Sequence, residues 1–258
     1  MGRLLSFDWE RVIVVTGAGS GIGAAIGRAL GEAGTGIMLH TRRNAEGLGR
    51  VAEACRSGGA TVETFMGDLA EAETAEGLIA AARARFGRID QIVSNAGQAE
   101  RGEFGSVTAA DLQRAFEAMP VAFLRLVTAA LPDLQASQWG RVVAVSSFVA
   151  HVFGTNNLLF PATSAAKAAL EALAMSLAVQ LAPSGVTVNC VAPGFTRKDQ
   201  AGHAAMSPRT MESVGALIPT GRLAEPRDIA HTTAFLLSRG ARQITGQVIH
   251  VDGGLMLP

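Results

Sequence analysis

The stretch that decides the fold is VIVVTGAGSGIG, residues 12–23. A short β-branched run enters a glycine-rich turn, and a segment of helical composition follows directly. Gly17, Gly21 and Gly23 would let the backbone turn tightly and approach a pyrophosphate at the positive end of that helix. A strand, a glycine turn and a helix in this order are the context that a dinucleotide-binding motif requires. The stretch therefore predicts dinucleotide binding after the first strand.

From this unit to the end of the chain, strand-like and helix-like segments alternate. Short apolar runs predict strands at 12–15, 36–40, 61–65, 89–94, 141–146, 187–192 and 247–251. Longer alanine-rich segments predict helices at 21–34, 45–57, 72–86, 109–134, 163–181 and 226–238. This alternation is typical of a parallel sheet that is buried on both faces. We predict an α/β fold, a single-domain Rossmann-like doubly wound parallel sheet over residues 1–258 with helices on both faces, and a substrate lid around 195–221.

The composition argues against several classes of function. Of the 258 residues, 48% are apolar and 17% are charged, which is typical of a compact globular protein. The 22 basic and 22 acidic residues balance, so no net field attracts nucleic acid or an anionic membrane. Cys55 and Cys190 lack CxxC or metal-ligand spacing, which predicts reduced structural thiols and no metal site. No apolar run approaches the roughly 20 residues of a membrane span, so we expect a cytoplasmic protein. We also expect its partner to be a small-molecule substrate.

The tip of the second predicted strand indicates which dinucleotide binds. An NAD site usually places a carboxylate here to accept hydrogen bonds from the adenosine ribose. The tip reads His40, Thr41, Arg42, Arg43 and contains no carboxylate. A guanidinium suits a 2′-phosphate through charge-assisted hydrogen bonds. The residues therefore favour NADP(H), with NAD(H) as the alternative, and make Arg42 and Arg43 candidate cofactor-binding residues.

Five motifs in order resemble the short-chain dehydrogenase/reductase family over nearly the whole chain. They are TGAGSGIG at 16–23, GDL at 67–69, SNAG at 94–97, VTVNCVAPGFT at 186–196 and ITGQVIHVDGG at 244–254. The resemblance implies hydride transfer between a nicotinamide and a carbonyl or alcohol, in a homotetramer or homodimer. Its motifs also imply a set of cofactor-binding residues: Thr16, Gly17, Gly19, Ser20, Gly21, Ile22, Gly23, Asp68, Leu69, Asn95, Ala96, Gly97, Lys167, Pro193, Gly194 and Thr196.

The catalytic residues match the family only in part. In that family a Ser orients the substrate oxygen, a Tyr exchanges the proton, and a Lys holds the ribose and lowers the Tyr pKa. Ser147 and Lys167 match the Ser and the Lys, but the position four before Lys167 is Thr163, and the chain contains no tyrosine. An aliphatic hydroxyl is a much weaker acid than a phenol. We expect Thr163 to position a water rather than to protonate substrate directly, and His151 is a second candidate acid.

A second departure lies in the predicted helix 109–134. Met119 stands where the family usually carries an Asn that supports the proton relay, and Pro120 follows it. An internal proline removes a helix hydrogen bond and kinks the chain, which could leave the Phe116 carbonyl free to hold a water. The simpler interpretation, which we favour, is that Met119 fills space in the core.

Three functions stay open on these residues. The first is an NADP(H)-dependent oxidoreductase with an altered proton relay. The second is a non-redox enzyme on the same scaffold, such as a lyase or isomerase. The third is a catalytically silent NADP-binding protein. A partly apolar substrate pocket is suggested by six residues, which could equally be ordinary packing: Phe148, Val149, Phe153, Leu158, Leu159 and Phe195.

Overall fold

The computed structural model describes residues 9–155, 158–197 and 213–257. Seven parallel strands form one sheet in the order β3-β2-β1-β4-β5-β6-β7. The strands are β1 (Arg11–Val15), β2 (Thr35–Thr41), β3 (Thr61–Met66), β4 (Gln91–Ser94), β5 (Arg141–Val145), β6 (Thr187–Pro193) and β7 (Val248–Val251). The helices of the described residues include α1 (Gly21–Leu30), α2 (Ala45–Ser57), α3 (Ala72–Phe86), α4 (Ala109–Phe116), α5 (Ala122–Ala136), α6 (Pro161–Leu181) and α7 (Pro226–Leu237).

Helices cover both faces of the sheet, so the predicted doubly wound α/β fold is confirmed. Successive strand residues point to opposite faces. Val12 and Val14 of β1 join the core under α3, α5 and α6. Ile13 and Val15 join the core under α1, α2 and α7. Burial on both faces explains why the inner strands are continuous apolar runs rather than alternating ones.

The strand order reverses beside β1, which pairs with β2 on one side and β4 on the other. In open α/β sheets, ligands bind outside the carboxyl ends of the strands at such a switch point. The glycine-rich stretch follows β1 directly, and the motifs after β4 and β5 follow at the same edge. The topology thus brings the segments that follow β1, β4 and β5 to one crevice.

Two predicted helices differ from the structure by more than two residues or in helix type. The helix predicted at 21–34 ends at Leu30, because its C-cap Gly31 has a ψ of 72°, outside the helical region, and Gly34, with a φ of 78°, then turns the chain into β2. The helix predicted at 109–134 is α4 and α5 joined by a π-helical turn, Glu117–Val121, which contains Pro120. Proline has no backbone N–H for the regular bond, and the wider turn carries the chain past it. The helix is therefore widened rather than broken.

Two helical stretches are long and apolar enough, by length and composition alone, to cross a membrane. They are Ala109–Ala136 and Pro161–Ser184. The expectation that no segment would reach this limit is wrong by that criterion. Phe123 of α5 and Leu170 of α6 nevertheless pack in the core on the sheet, and buried core helices of soluble proteins pass the same test.

Candidate active site

The glycine-rich turn between β1 and α1 forms a cradle that only glycine can line. Gly17 and Gly21 have φ values of 67° and 54°, the left-handed region that favours glycine. A Cβ added to Gly23 would lie 2.1 Å from the Gly17 carbonyl oxygen and 2.4 Å from Asn95 Nδ2. Ser20 precedes α1 but makes no capping hydrogen bond with its side chain. The residues present therefore fit a group that approaches the backbone closely at a helix N-terminus.

The segment after β4 is bonded to this cradle. Thr16 Oγ1 accepts hydrogen bonds from the backbone N–H groups of Asn95 and Ala96 at 2.9 and 3.0 Å. Asn95 Nδ2 donates to the carbonyl oxygens of Thr16 and Gly17 at 3.0 and 3.3 Å. The side chains of Thr16 and Asn95 thus connect the glycine-rich turn to the segment after β4. These hydrogen bonds hold the two segments at a constant separation.

His40, at the end of β2, links the cradle to the loop after β3 and was not predicted as a site residue. Its Nε2 hydrogen-bonds the Gly67 carbonyl oxygen at 2.9 Å, and its Nδ1 lies 3.5 Å from the Gly17 N–H nitrogen. The Ala18 N–H also donates to the His40 carbonyl oxygen at 2.7 Å. The side chain is 1% exposed, and burial lowers its pKa, which favours the neutral ring that both contacts require.

Arg42 and Asp68 meet at the outer end of the crevice. A nitrogen of the Arg42 guanidinium lies 3.5 Å from Asp68 Oδ2, and both side chains are partly exposed. Arg43 is also exposed, whereas Leu69 packs in the core. Gly19 is held by a 2.8 Å hydrogen bond from Asn44 Nδ2 to its carbonyl oxygen. An exposed cation therefore stands beside the mouth of the glycine cradle.

Lys167 lies at the inner end of the crevice and is 7% exposed. Its Nζ donates a 2.6 Å hydrogen bond to the Val145 carbonyl oxygen at the end of β5. A Cβ added to Gly97 would lie 3.4 Å from this Nζ and 3.2 Å from Met119 Sδ, so the three residues converge. Burial lowers the pKa of Lys167 to about 8. Met119 is 3% exposed, as expected of a core residue.

Thr163 and Ser147 use their hydroxyls in hydrogen bonds with backbone N–H groups. Thr163 is 2% exposed, and its Oγ1 accepts a 3.0 Å hydrogen bond from the Glu100 N–H in the loop after β4. Ser147 Oγ accepts a 3.4 Å hydrogen bond from the Val149 N–H and begins a short 3₁₀ turn. The Thr163 contact ties α6 to the loop that carries the SNAG motif, which the sequence pattern did not indicate.

His151 belongs to a separate polar cluster. Its Nε2 lies 3.0 Å from Glu171 Oε1, and the same oxygen accepts a hydrogen bond from the Ser146 hydroxyl. The His151 ring also stands edge-on to His250, with 4.8 Å between centroids. Glu171 is buried one helical turn after Lys167. The structure thus pairs His151 with Glu171 and gives it no hydrogen bond to Ser147, Thr163 or Lys167 within the described residues.

The remaining predicted residues follow β6. A Cβ added to Gly194 would lie 2.7 Å from Asp252 Cα, so the turn after β7 crosses the end of β6 closely. Pro193 ends β6, and Thr196 Oγ1 donates to the Gly194 carbonyl oxygen at 3.1 Å. Of the predicted lid, residues 198–212 lie outside the described part of the chain. Across the ranges that are described, no group of three or more His, Cys, Asp or Glu residues is placed to hold a metal ion.

The chain is similar in sequence and fold to known reductases and dehydrogenases. A family model described as enoyl-(acyl carrier protein) reductase matches residues 17–256. The cis-4-hydroxycyclohexanecarboxylate dehydrogenase of Sinomonas cyclohexanicum is 37% identical, over 95% of this chain and 96% of that protein. The 3-oxoacyl-[acyl-carrier-protein] reductase FabG of Staphylococcus aureus is 31% identical, over 95% and 97%. The crystal structure of YwfH, an NADPH-dependent reductase involved in bacilysin biosynthesis, superposes with a TM-score of 0.87 at 26% identity, covering 96% of this chain and 99% of that one.

Proposed function

The chain belongs to the short-chain dehydrogenase/reductase family of oxidoreductases, and we propose that it interconverts a carbonyl and an alcohol with NADP(H) through an altered proton relay. The observation that carries the cofactor choice is Arg42, an exposed guanidinium beside Asp68 at the mouth of the glycine cradle. No carboxylate occupies positions 40–43, where an NAD site usually has one. A guanidinium there would bind a 2′-phosphate with charge-assisted hydrogen bonds.

Specific residues would hold the nucleotide. The cradle of Gly17, Gly21 and Gly23 would receive the pyrophosphate at the N-terminus of α1. Asp68 would contact the adenine, and Thr196 and the backbone after β6 would contact the nicotinamide carboxamide. Lys167 would hold the nicotinamide ribose. When bound, the nicotinamide would supply or accept the hydride.

The proton must come from a group other than a phenol. Thr163 already bonds the Glu100 backbone, and its aliphatic hydroxyl is a weak acid. Lys167, whose pKa burial lowers to about 8, would supply the proton through a water held beside Thr163. Ser147 would orient the substrate oxygen. His151 is the weaker candidate for the acid, because the ring of His151 contacts Glu171 in the described structure.

The cofactor proposal is tested by titrating NADPH and NADH into the purified protein and following cofactor fluorescence. Arg42→Ala should weaken NADPH binding by about 10- to 100-fold, since a hydrogen bond to a charged group contributes about 1.5–3 kcal/mol. NADH binding should stay within about twofold. Arg50→Ala removes an exposed arginine of α2 that pairs with Glu46 and serves as the control. Equal loss of NADPH and NADH affinity in Arg42→Ala would contradict a 2′-phosphate contact.

A second candidate is a catalytically silent NADP-binding protein, and the engagement of Thr163 with Glu100 favours it. Its signature is tight NADPH binding without oxidation of NADPH by any carbonyl substrate. A non-redox lyase or isomerase on the scaffold would instead convert substrate at constant NADPH absorbance. A panel of ketones, aldehydes and alcohols, followed at 340 nm and by product analysis, distinguishes the three.

We further propose that the protein acts in the cytoplasm as a homodimer or homotetramer, on a small molecule and without nucleic acid or membrane partners. The balanced charge supports the absence of nucleic acid partners. Exposed apolar side chains on the outer faces of α5 and α6 support self-association: Leu124 is 49% and Val179 is 78% exposed.

A further inference from the structure

Glu171 is a buried carboxylate to which the proposed chemistry gives no role. It lies on α6 one helical turn after Lys167 and is 8% exposed. Its Oε1 accepts a hydrogen bond from the Ser146 hydroxyl and lies 3.0 Å from His151 Nε2. A buried carboxylate is costly unless polar groups compensate its charge. These two contacts supply that compensation, and both come from the segment that follows β5.

The two contacts hold both ends of the Ser147 turn, residues 146–151. Ser146 follows β5 directly, Ser147 begins the 3₁₀ turn Phe148–Ala150, and His151 follows that turn. Because one carboxylate oxygen contacts both Ser146 and His151, displacement of Glu171 would release the Ser147 turn at its start and at its end. The placement of the Ser147 hydroxyl relative to α6 therefore depends on Glu171.

The His151 end of the turn is held by a second element as well. The ring of His250, on β7, stands edge-on to the ring of His151, with 4.8 Å between centroids. His151 thus contacts Glu171 of α6 and His250 of β7. Contacts to two elements fix the orientation of its imidazole, as expected of a residue that anchors the turn.

Glu171 also acts on Lys167 through its charge. Residues four apart on a helix are neighbours on one face. Lys167 Nζ bonds the Val145 carbonyl oxygen, which leaves a charge interaction rather than a shared hydrogen bond between the two side chains. Burial lowers the pKa of Lys167 to about 8, and the negative charges that Cys190 and Glu171 can carry oppose this effect.

Of these two neighbours, Glu171 carries the charge that matters near neutral pH. Burial raises the pKa of the Cys190 thiol to about 12, so the thiol is neutral there. The other described groups around Lys167 Nζ are uncharged: the Val145 carbonyl oxygen of β5 and the Met119 thioether of the π-helical turn, near Gly97. The Glu171 carboxylate is therefore the anion that stabilises the charged form of Lys167 from within the described residues.

We propose that Glu171 is a positioning residue of the candidate active site, which holds the Ser147 turn in place and favours the charged form of Lys167. This inference rests on the roles proposed above for Ser147 and Lys167 and extends them. One buried carboxylate would connect the group that orients the substrate oxygen to the group that holds the ribose and supplies the proton.

The charge interaction is tested on the titration of Lys167, which needs neither cofactor nor substrate. The chain contains two lysines, Lys167 and Lys198, so protein labelled with ¹³C at lysine Cε gives two titrating NMR signals. Lys198→Arg assigns them. Glu171→Gln keeps the side-chain size and removes the charge. The midpoint of the Lys167 signal should move to lower pH by about 0.5–1.5 pH units, as expected for a charge at about 8 Å and an effective dielectric constant of about 20–40.

Glu46→Gln is the matched control for this substitution. It removes one carboxylate charge from an exposed position of α2, which packs on the other face of the sheet. The Lys167 midpoint should stay at the wild-type pH in this variant. An unchanged midpoint in Glu171→Gln, or an equal shift in Glu46→Gln, would overturn the proposal.

The hold on the Ser147 turn is tested by amide hydrogen exchange and by kinetics. Ser146→Ala and His151→Phe each remove one contact of Glu171, and Phe keeps a ring against His250. Each should accelerate exchange of the amides of residues 149–152 about two- to tenfold, the value of one hydrogen bond. With any carbonyl that the protein reduces, each should also lower kcat about tenfold through misplacement of Ser147. The KM for NADPH should stay within about twofold, because the nucleotide is held elsewhere. Wild-type exchange in both variants would refute the hold on the turn.

Failure of this proposal and failure of the proposed function give different results. If NADPH does not bind or no carbonyl is reduced, while Glu171→Gln shifts the Lys167 midpoint and exchange accelerates in Ser146→Ala, the positioning role stands and the redox function falls. If the wild type reduces a carbonyl and Glu171→Gln does so with the same kcat, the redox function stands and the positioning role falls.

Discussion

At the residue scale, Thr163 decides which acid–base chemistry the site can perform. The position shares the helix face of Lys167, where the family carries its phenol. Here the hydroxyl bonds the Glu100 backbone, so its role in the described structure is to attach α6 to the loop after β4. A short, engaged hydroxyl leaves Lys167, which bonds the Val145 carbonyl oxygen at the end of β5, as the proposed proton source.

Restoring the phenol tests that interpretation. Thr163→Tyr should raise carbonyl reduction by about 100-fold or more over Thr163→Phe, because general acid catalysis contributes about 10²–10⁴-fold. The measurement is kcat with NADPH and any accepted carbonyl. Thr163→Phe supplies the ring without the hydroxyl and separates chemistry from packing. Equal kcat values in the two variants would mean that the pocket differs from that of the family in more than the missing acid.

Lys167 is a second residue whose proposed functional role conflicts with stability. Burial lowers its pKa from 10.5 to about 8, which corresponds to about 3 kcal/mol of destabilisation while it is charged. Lys167→Met should therefore raise the free energy of unfolding of the apoprotein at pH 7 by about 1–2 kcal/mol, after the lost bond to Val145 is subtracted. NADPH binding should weaken in the same variant.

The sign of the pH dependence of the unfolding free energy follows from the lowered pKa of Lys167. Between pH 8 and 10.5 the unfolded chain binds more protons at this lysine than the folded chain does, so the lysine's cost to wild-type stability falls as pH rises. The advantage of Lys167→Met should shrink towards pH 10.5 in urea titrations. Arg28→Met, at an exposed position of α1, is the control and should show no such trend. An advantage independent of pH would refute a buried charge.

At the element scale, the junction of β1 and α1 depends on close backbone approach. Gly23→Ala places a Cβ within 2.1 Å of the Gly17 carbonyl oxygen, and this atom cannot move without opening the cradle. We expect a loss of at least about 2 kcal/mol in unfolding free energy and loss of NADPH binding. Denaturant titration and cofactor fluorescence measure the two effects.

Gly49→Ala is the matched control for this change. Gly49 lies in α2, and an added Cβ meets no atom within 4 Å. Alanine should stabilise that helix by about 0.5–1 kcal/mol, with unchanged cofactor binding. If both substitutions had the same effect, close approach at Gly23 would not be the cause.

At the scale of the whole molecule, the exposed apolar faces of α5 and α6 predict the assembly. The chain has a mass of 26.6 kDa, and light scattering should give two or four times that value. Val179→Lys, on α6, should lower the mass by placing a charge in an apolar contact. Phe235→Lys changes an exposed apolar residue of α7 on the other face of the sheet and should not. A monomeric wild type would contradict the prediction.

Sequence reasoning predicted all seven strands and most helix boundaries, because apolar periodicity and glycine turns are local properties. It named the cradle, Arg42 and Lys167 as site residues, and the parallel sheet brings the strand ends beside them to one edge. The π turn around Pro120 was harder to predict from the sequence. A proline predicts a disturbed helix, but the packing of α5 on the sheet determines that the helix continues.

The amino-acid sequence by itself determined the sheet, the glycine cradle, the lack of a phenol and the cation at the end of the second strand. Only the tertiary structure decided which partners the polar groups take. Thr163 bonds Glu100 across 63 positions, His151 bonds Glu171, and His40 joins two loops. It also placed the apolar residues after Ser147 around a cavity beside α6. Local patterns depend on neighbours along the chain, whereas these contacts depend on how the helices and loops pack against the sheet.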